Sequence, residues 1–260
     1  MHRKHKLSAF IPVQNVEDII EACLESIQWI DEIFIVDAFS TDKTLEICRK
    51  YPNVKIVQHE YENSGAQRVW GMPQVAHEWV LIIDSDERCT SELRKEIERI
   101  LSMEEIPFDG YNVYIKTKFF GKLLYHDTYL GSGGKRLVRR ALHKNYVLKR
   151  VHAKLKFDKM SRIHNKRAYL IHIPIRDFKA NWEKMIRYAI WAAEDMYDQG
   201  KKVHWYHFSL RPFYKFFHYY IIRRGFLDGI RGLILCGLAG IWVFMKYYKL
   251  FEMYKKNENE

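Results

Sequence analysis

The sequence predicts an α/β fold: a mostly parallel mixed sheet with helices on both faces, followed by a C-terminal helical appendage. Strand-like and helix-like stretches alternate four times over about the first 100 residues, the pattern of a parallel sheet with crossover helices. The strand-like runs are apolar throughout, as strands covered on both faces are. After Asp198 the acidic residues thin out and the chain turns aromatic and basic.

The elements follow in order. KLSAFIPVQN is a first strand ending at Pro12. In VEDIIEACLESIQWI, residues Ile19, Ile20, Cys23, Leu24 and Ile27 share one helical face. DEIFIVDAFS is a second strand, and TDKTLEICRKY a helix with Ser40 or Thr41 as its cap. VKIVQHEY is a third strand, and SGAQRVWGMPQVA is helical in spite of Pro73. EWVLIIDSD is a fourth strand, followed by the helix CTSELRKEIERILSM with Thr90 or Ser91 capping it. Beyond Pro107, GYNVYIKTKFFGKLLYH reads as a hairpin, and GGKRLVRRALHKNYV and RAYLIHIPI add strands. One long helix covers Phe178 to Gly200, and His204 to Tyr254 is a helical tail. The expected layout is an α/β domain over 1–177 and a helical region over 178–260.

A length of 260 residues with 48% hydrophobic and 29% charged residues describes a folded chain with a full core. A net charge of +11 asks for an anionic partner: nucleic acid, a phosphorylated substrate or an anionic membrane surface. None of the four cysteines forms a CxxC pair, so no zinc site is expected. All four sit in apolar or helical contexts and read as reduced thiols of a cytosolic protein. The short apolar run near the N-terminus reads as the first strand and not as a signal peptide.

The chemistry concentrates at strand ends. Pro12 to Glu17, Asp37 to Asp42 and Asp84 to Glu87 each follow an apolar run. Ligands of parallel α/β sheets bind at such carboxyl ends. Clustered carboxylates there need a cation, and oxygen ligands suit Mg²⁺ or Mn²⁺, which also hold substrate phosphates. The competing reading is that Asp84 and Asp86 cap the helix that starts near Thr90. No G-x-G-x-x-G follows the first strand and no P-loop occurs, so a nicotinamide dehydrogenase and a P-loop NTPase are disfavoured.

FIPVQNVEDIIEACLESIQWIDEIFIVDAFSTDKTLEICRKY, followed by GAQRVWGMPQVAHEWVLIIDSDERCTSELRKEI, resembles the family-two inverting glycosyltransferases of GT-A fold. The likeness is to the bacterial branch that includes lipopolysaccharide-core β-glucosyltransferases, whose loops read like VDSGSTDRT, GAQKN and DADER. The resemblance covers nearly the whole chain, including RRGFLDGIRGLILCGLAGIWVFMKYYKL. It implies a Rossmann-like sheet, a UDP-sugar donor, and roles for matched positions. Pro12, Asn15 and Glu17 would line the nucleotide pocket, Asp37 would accept from the base, and Gln67 and Arg68 would close on the donor. Asp84 and Ser85 would face the ribose or the metal's hydration shell. Asp86 and His172 would hold the metal.

The chain departs from the pattern on the acceptor side. Relatives often show VHE where this chain has VHAK, with His152 kept and Ala153 in place of the acid. They also tend to carry an Asp near Ser132. Inversion needs a general base at the acceptor hydroxyl, and Asp127 is the nearest substitute, with His152, His126 and Asp177 as weaker candidates. His172, in an apolar strand, also reads as a satisfied core histidine. Trp182, Tyr188 and Trp191 recur at helical spacing and read as core.

Gly232 to Met245 is the longest charge-free apolar run, 14 residues, where a bilayer crossing needs about 20. Arg223, Arg224, Arg231, Lys246 and Lys249 flank it, with Trp242, Tyr247 and Tyr248. A helix on an anionic leaflet and a helix packed on protein, including a second subunit, both fit. The expected function is transfer of a hexose, glucose from a UDP-sugar, to a surface or lipid-linked glycan such as lipopolysaccharide core. Inversion and a divalent metal belong to it. The enzyme would sit in the cytoplasm, peripheral on the inner face of the membrane. The alternative is a catalytically weak or inactive sugar-nucleotide or glycolipid binder. RNA binding rests on charge and aromatics alone, so no nucleic-acid partner is expected.

Overall fold

The computed structural model describes residues 3–126, 133–147, 154–174 and 178–258. The chain forms two compact units, Met1–Ile115 with Ser132–His172, and Lys116–Gly131 with Ile173–Glu260. The second takes in a segment after Ile115 as well as the helical region the sequence sets apart.

In the first unit, β1 (Leu7–Val13), α1 (Ile20–Ile27), β2 (Glu32–Asp37), α2 (Thr44–Cys48), β3 (Val54–Gln58), α3 (Ser64–Gly71) and β4 (Trp79–Ile82) alternate. The strands run parallel in the order β3-β2-β1-β4. After β4 come β5 (Glu87–Cys89), α4 (Ser91–Leu101), β6 (Gly110–Phe119) and β7 (Lys122–Leu123). Then follow β8 (Gly134–Arg139), β9 (Tyr146–Val147), β10 (Lys154–Leu155), β11 (Met160–Arg162) and β12 (Tyr169–His172). The sheet continues from β4 as β8-β6-β12-β5, with β8 antiparallel to both neighbours and β5 antiparallel to β12.

The apolar runs divide between two cores by strand alternation. Ala9, Ile11, Ile33, Ile35, Leu81 and Ile83 pack with α1 and α4. Phe10, Phe34, Val36, Val80 and Ile82 pack on the other face with Met72 and Val75, which follow α3. A period of two through an unbroken apolar run fills both faces.

Two local expectations change. α2 starts at Thr44, later than expected, because the Asp42 carboxylate accepts the Thr44 N–H at 3.0 Å. Ser40 Oγ instead accepts the Asn15 N–H at 2.9 Å. α3 ends at Gly71, and Pro73 falls in a following 3₁₀ turn, Met72–Gln74, where its missing N–H does no harm. At α4 the cap is Thr90, whose Oγ1 accepts the Leu93 N–H at 3.3 Å. The Asp84 and Asp86 capping reading therefore fails: β5 separates them from the helix. Thr90→Ala is expected to lower stability by about 1 kcal/mol in urea unfolding, without the loss of donor affinity that a cluster residue would bring.

In the second unit, β6 and β7 meet at a two-residue turn, Phe120 with φ 43° and Gly121 with φ 74°, the left-handed pair that a tight hairpin requires. α5 (Phe178–Asp198) and α6 (Leu210–Phe217) pack on α7 (Ile230–Glu258). Ala193 meets Val243, Tyr247 and Leu250 there. The 14-residue apolar run sits inside this 29-residue helix. Among the described residues α7 is the one helix long and apolar enough to cross a bilayer by length and composition.

Candidate functional site

β4 delivers the chain into the turn Asp84-Ser85-Asp86 alongside the C-terminal part of β1, since Ile82 stands opposite Phe10 and the Ile83 N–H still pairs with the Phe10 carbonyl at 3.2 Å. The turn closes on itself. The Asp84 N–H donates to Glu87 Oε2, and the Glu87 N–H donates to the Asp84 carbonyl, each at 2.9 Å.

Three arginines answer the crowded carboxylates. Arg136 of β8 places Nη2 at 3.0 Å from Asp84 Oδ2 and 2.6 Å from Glu87 Oε1. Arg68 of α3 places Nη2 at 3.3 Å from Asp84 Oδ1. Arg88 straps the backbone, donating to the carbonyls of Ser85 at 2.8 Å, Glu87 at 2.7 Å and Ile19 at 2.7 Å. Burial alone would raise the Asp84 carboxyl, but Arg136 and Arg68 outweigh it and hold Asp84 well below the usual carboxylate range. Glu87, 1% exposed, is pushed up by burial and by the Asp84 and Asp86 charges, against Arg136. Tyr146 of β9 bonds Arg68, and burial raises its phenol.

Asp86 and His172 come together. His172 stands opposite Glu87 in the β5–β12 pair, and its Nε2 lies 3.4 Å from Asp86 Oδ2.

The other sequence candidates serve the frame of the site. Asp37, fully buried at the end of β2, accepts the Ser40 N–H at both carboxylate oxygens, 3.2 and 3.1 Å, and Gln58 Nε2 at 2.9 Å on Oδ2. Pro12 is half-buried in β1 opposite Val36. Asn15 adopts φ 49° and its Oδ1 accepts the Thr41 N–H at 2.8 Å. Glu17 Oε2 accepts the Lys43 N–H at 2.8 Å, and the Glu17 N–H donates to Asp42 at 3.1 Å. Together these bonds lace the loop after β1 to the loop after β2. Gln67 is fully buried and ties α3 to the exit of β3 through the carbonyls of His59 at 3.3 Å and Glu60 at 3.0 Å. Asp127 and His152, with Ser132, Ala153 and Asp177, lie outside the described residues. Sequence reasoning counted Glu87 in the carboxylate cluster but passed over Arg136, Arg88 and Tyr146. The one available signal was an arginine inside the strand GKRLVR, next to buried Leu137 and Val138.

Comparison with known proteins places the family and the fold. Residues 8–150, more than half of the chain, match the family described as Glycosyl transferase family 2. An uncharacterized glycosyltransferase of Rickettsia conorii is 26% identical over 287 residues, spanning 98% of this chain and 93% of the relative. The lipopolysaccharide core biosynthesis glycosyltransferase LpsC of Rhizobium meliloti is 23% identical, spanning 96% and 93%. S. aureus TarS 1–349 in complex with UDP-GlcNAc superposes with a TM-score of 0.51 at 18% identity, covering 97% of this chain and 92% of that one. At that identity the likeness speaks to the fold, which is GT-A-like as the sequence predicts. On that matched span, the chain belongs to glycosyl transferase family 2.

Proposed function

We propose that this glycosyltransferase moves a hexosyl group, glucose from a UDP-sugar, onto a glycan acceptor of the lipopolysaccharide-core kind, lipid-linked or free, with inversion and with Mg²⁺ or Mn²⁺ bound. The observation that carries the reading is the Asp84–Asp86 turn, held by arginines at the carboxyl end of β4, with His172 at 3.4 Å from Asp86. The name of LpsC supports the acceptor class, and the UDP-GlcNAc bound to TarS supports a UDP-sugar.

The residues fit a divalent ion. A carboxylate oxygen and an imidazole nitrogen at this spacing can take two positions of one hard cation, leaving the others to diphosphate oxygens and water. Among the described residues no group of three or more His, Cys, Asp or Glu could hold an ion. When bound, the ion offsets the charge that grows on the departing diphosphate. Arg68 and Arg136 keep Asp84 ionised and fixed. Arg68 Nε and Arg136 Nη1 have no partner within the protein and are donors for the same phosphates. Asp37 would accept the imide N–H of uracil with its remaining lone pairs. At the acceptor, the hydroxyl oxygen attacks the anomeric carbon as the bond to diphosphate breaks, and its proton passes to a base, for which Asp127 is the candidate.

A second reading, a sugar-nucleotide binder without turnover, is favoured by Ala153 and Ser132 where relatives carry carboxylates. Thermal shift across UDP-sugars with and without Mn²⁺, followed by a donor-turnover assay, separates the two. Donor at about 100 times its Kd stabilises the fold by about 2.7 kcal/mol. The transferase reading expects a Tm rise that needs Mn²⁺, and turnover that Asp127→Asn reduces about 100-fold or more. A Tm rise without turnover supports the binder, and no response to any UDP-sugar overturns both.

A further inference from the structure

Among the described residues 22 large apolar side chains stand exposed, and 17 of them lie between Trp205 and Phe251. Scattered exposure needs no explanation, but a concentration of this kind marks an interaction surface. In α6, Leu210, Phe213, Tyr214 and Phe217 are all exposed and follow the i, i+3, i+4, i+7 spacing of one helix face. In α7, Leu233, Ile234, Ile241, Phe244, Tyr248 and Phe251 form a second exposed stripe. The opposite side of α7, with Leu235, Ala239, Val243, Tyr247 and Leu250, is buried within the unit. α7 is thus apolar on two faces and covered on one.

The charge on this segment has one sign. Residues 205–251 contain seven Arg or Lys and a single acid, Asp228. That acid is turned inward, its oxygens accepting the N–H groups of Tyr125 and His126 at 3.1 Å each. Glu252, one residue beyond, is taken by Lys249 at 2.8 Å. Three of the cations are held by aromatic groups. Lys246 Nζ lies 5.0 Å from the Trp242 ring and 4.8 Å from that of Tyr247. Arg211 donates to Tyr247 Oη, and Lys215 to Tyr219 Oη, each at 2.6 Å. Rings and phenols hold a cation in place without neutralising it. Burial, and then Arg211, Lys215 and Lys201, push the Lys246 ammonium down to about 8. Cations gathered against their own repulsion suit an anion.

We propose that this face docks on a membrane leaflet rich in anionic lipid. The exposed stripes of α6 and α7 enter the boundary between headgroups and acyl chains, and Arg211, Lys215 and Lys246 take lipid phosphates. A second copy of the chain fits less well, because a symmetric interface sets the same patch against itself and brings cations onto cations. Aromatic and basic residues around exposed aliphatic ones are what the interfacial zone selects. One face of α7 belongs to the unit's own core, so the helix lies on the leaflet instead of crossing it.

The test is flotation of the full chain with vesicles of phosphatidylcholine alone, or with one third phosphatidylglycerol. Binding is expected to the anionic vesicles only. The variant Arg211→Gln/Lys215→Gln/Lys246→Gln should bind about 100-fold more weakly, with a Tm equal to or above that of the parent. Leu210→Ser/Phe213→Ser, on exposed positions, should weaken binding at unchanged Tm. Equal binding to neutral vesicles, or no flotation with either, overturns the proposal. So does a lipid-free dimer in sedimentation equilibrium that the two serine substitutions dissociate.

Discussion

Replacing Arg136 with methionine is expected to destabilise the protein by about 3–5 kcal/mol, since it leaves the buried Glu87 carboxylate without its counter-charge and the half-buried Asp84 with Arg68 alone. Arg136 bridges Asp84 at 3.0 Å and Glu87 at 2.6 Å, and its own side chain is only 12% exposed. Methionine matches much of the stem, so the loss is electrostatic more than steric. Lysine should recover only part of it, because one ammonium cannot reproduce the fork that reaches both partners. The loss should shrink as pH falls from 8 to 5. Glu87 is already pushed up by burial and by its acidic neighbours. Without Arg136 it rises further above its unfolded value, so the folded variant binds more protons and gains stability on acidification. Glu87→Gln added to Arg136→Met should restore part of the stability at pH 8. Urea unfolding across pH measures all of this, and a flat pH response would show that Glu87 is not the charge left exposed.

Asp86→Ala is expected to have the opposite character: near-normal stability and at least about a 10³-fold loss of turnover, the size seen when a group stabilising transition-state charge is removed. Asp86 sits beside His172 and adds repulsion to the buried Glu87, so removing it relieves the cluster electrostatically. Turnover should fall together with the Mn²⁺-dependent Tm rise given by a UDP-sugar. His172→Ala should follow the same pattern with a smaller loss. A variant of Asp86 that keeps full turnover would remove Asp86 from the metal site, whereas one that unfolds would make it a structural residue like Arg136.

The sequence by itself determined the layers of this protein. Short unbroken apolar runs such as AFIPV and WVLII, alternating with helical patterns, read as strands covered on both sides, and the helical spacing of Cys23, Leu24 and Ile27 marks a helix that covers one face. It also placed the acidic turn after β4, because a run of carboxylates behind an apolar strand is visible without coordinates. Local signals fix these features, so local reading finds them. Tertiary structure decided which side chains meet. Arg136 faces Asp84 because β8 joins the sheet antiparallel beside β4, and His172 reaches Asp86 because β12 pairs with β5. Strand order and register set both meetings, and neither is written in the neighbours of the residues concerned. The same applies to Asn15, Glu17 and Gln67, whose polar atoms look available in sequence: Asn15 and Glu17 accept backbone N–H groups that lace two loops, and the Gln67 amide nitrogen donates to the backbone carbonyls of His59 and Glu60. Buried polar groups take the nearest partner the fold supplies.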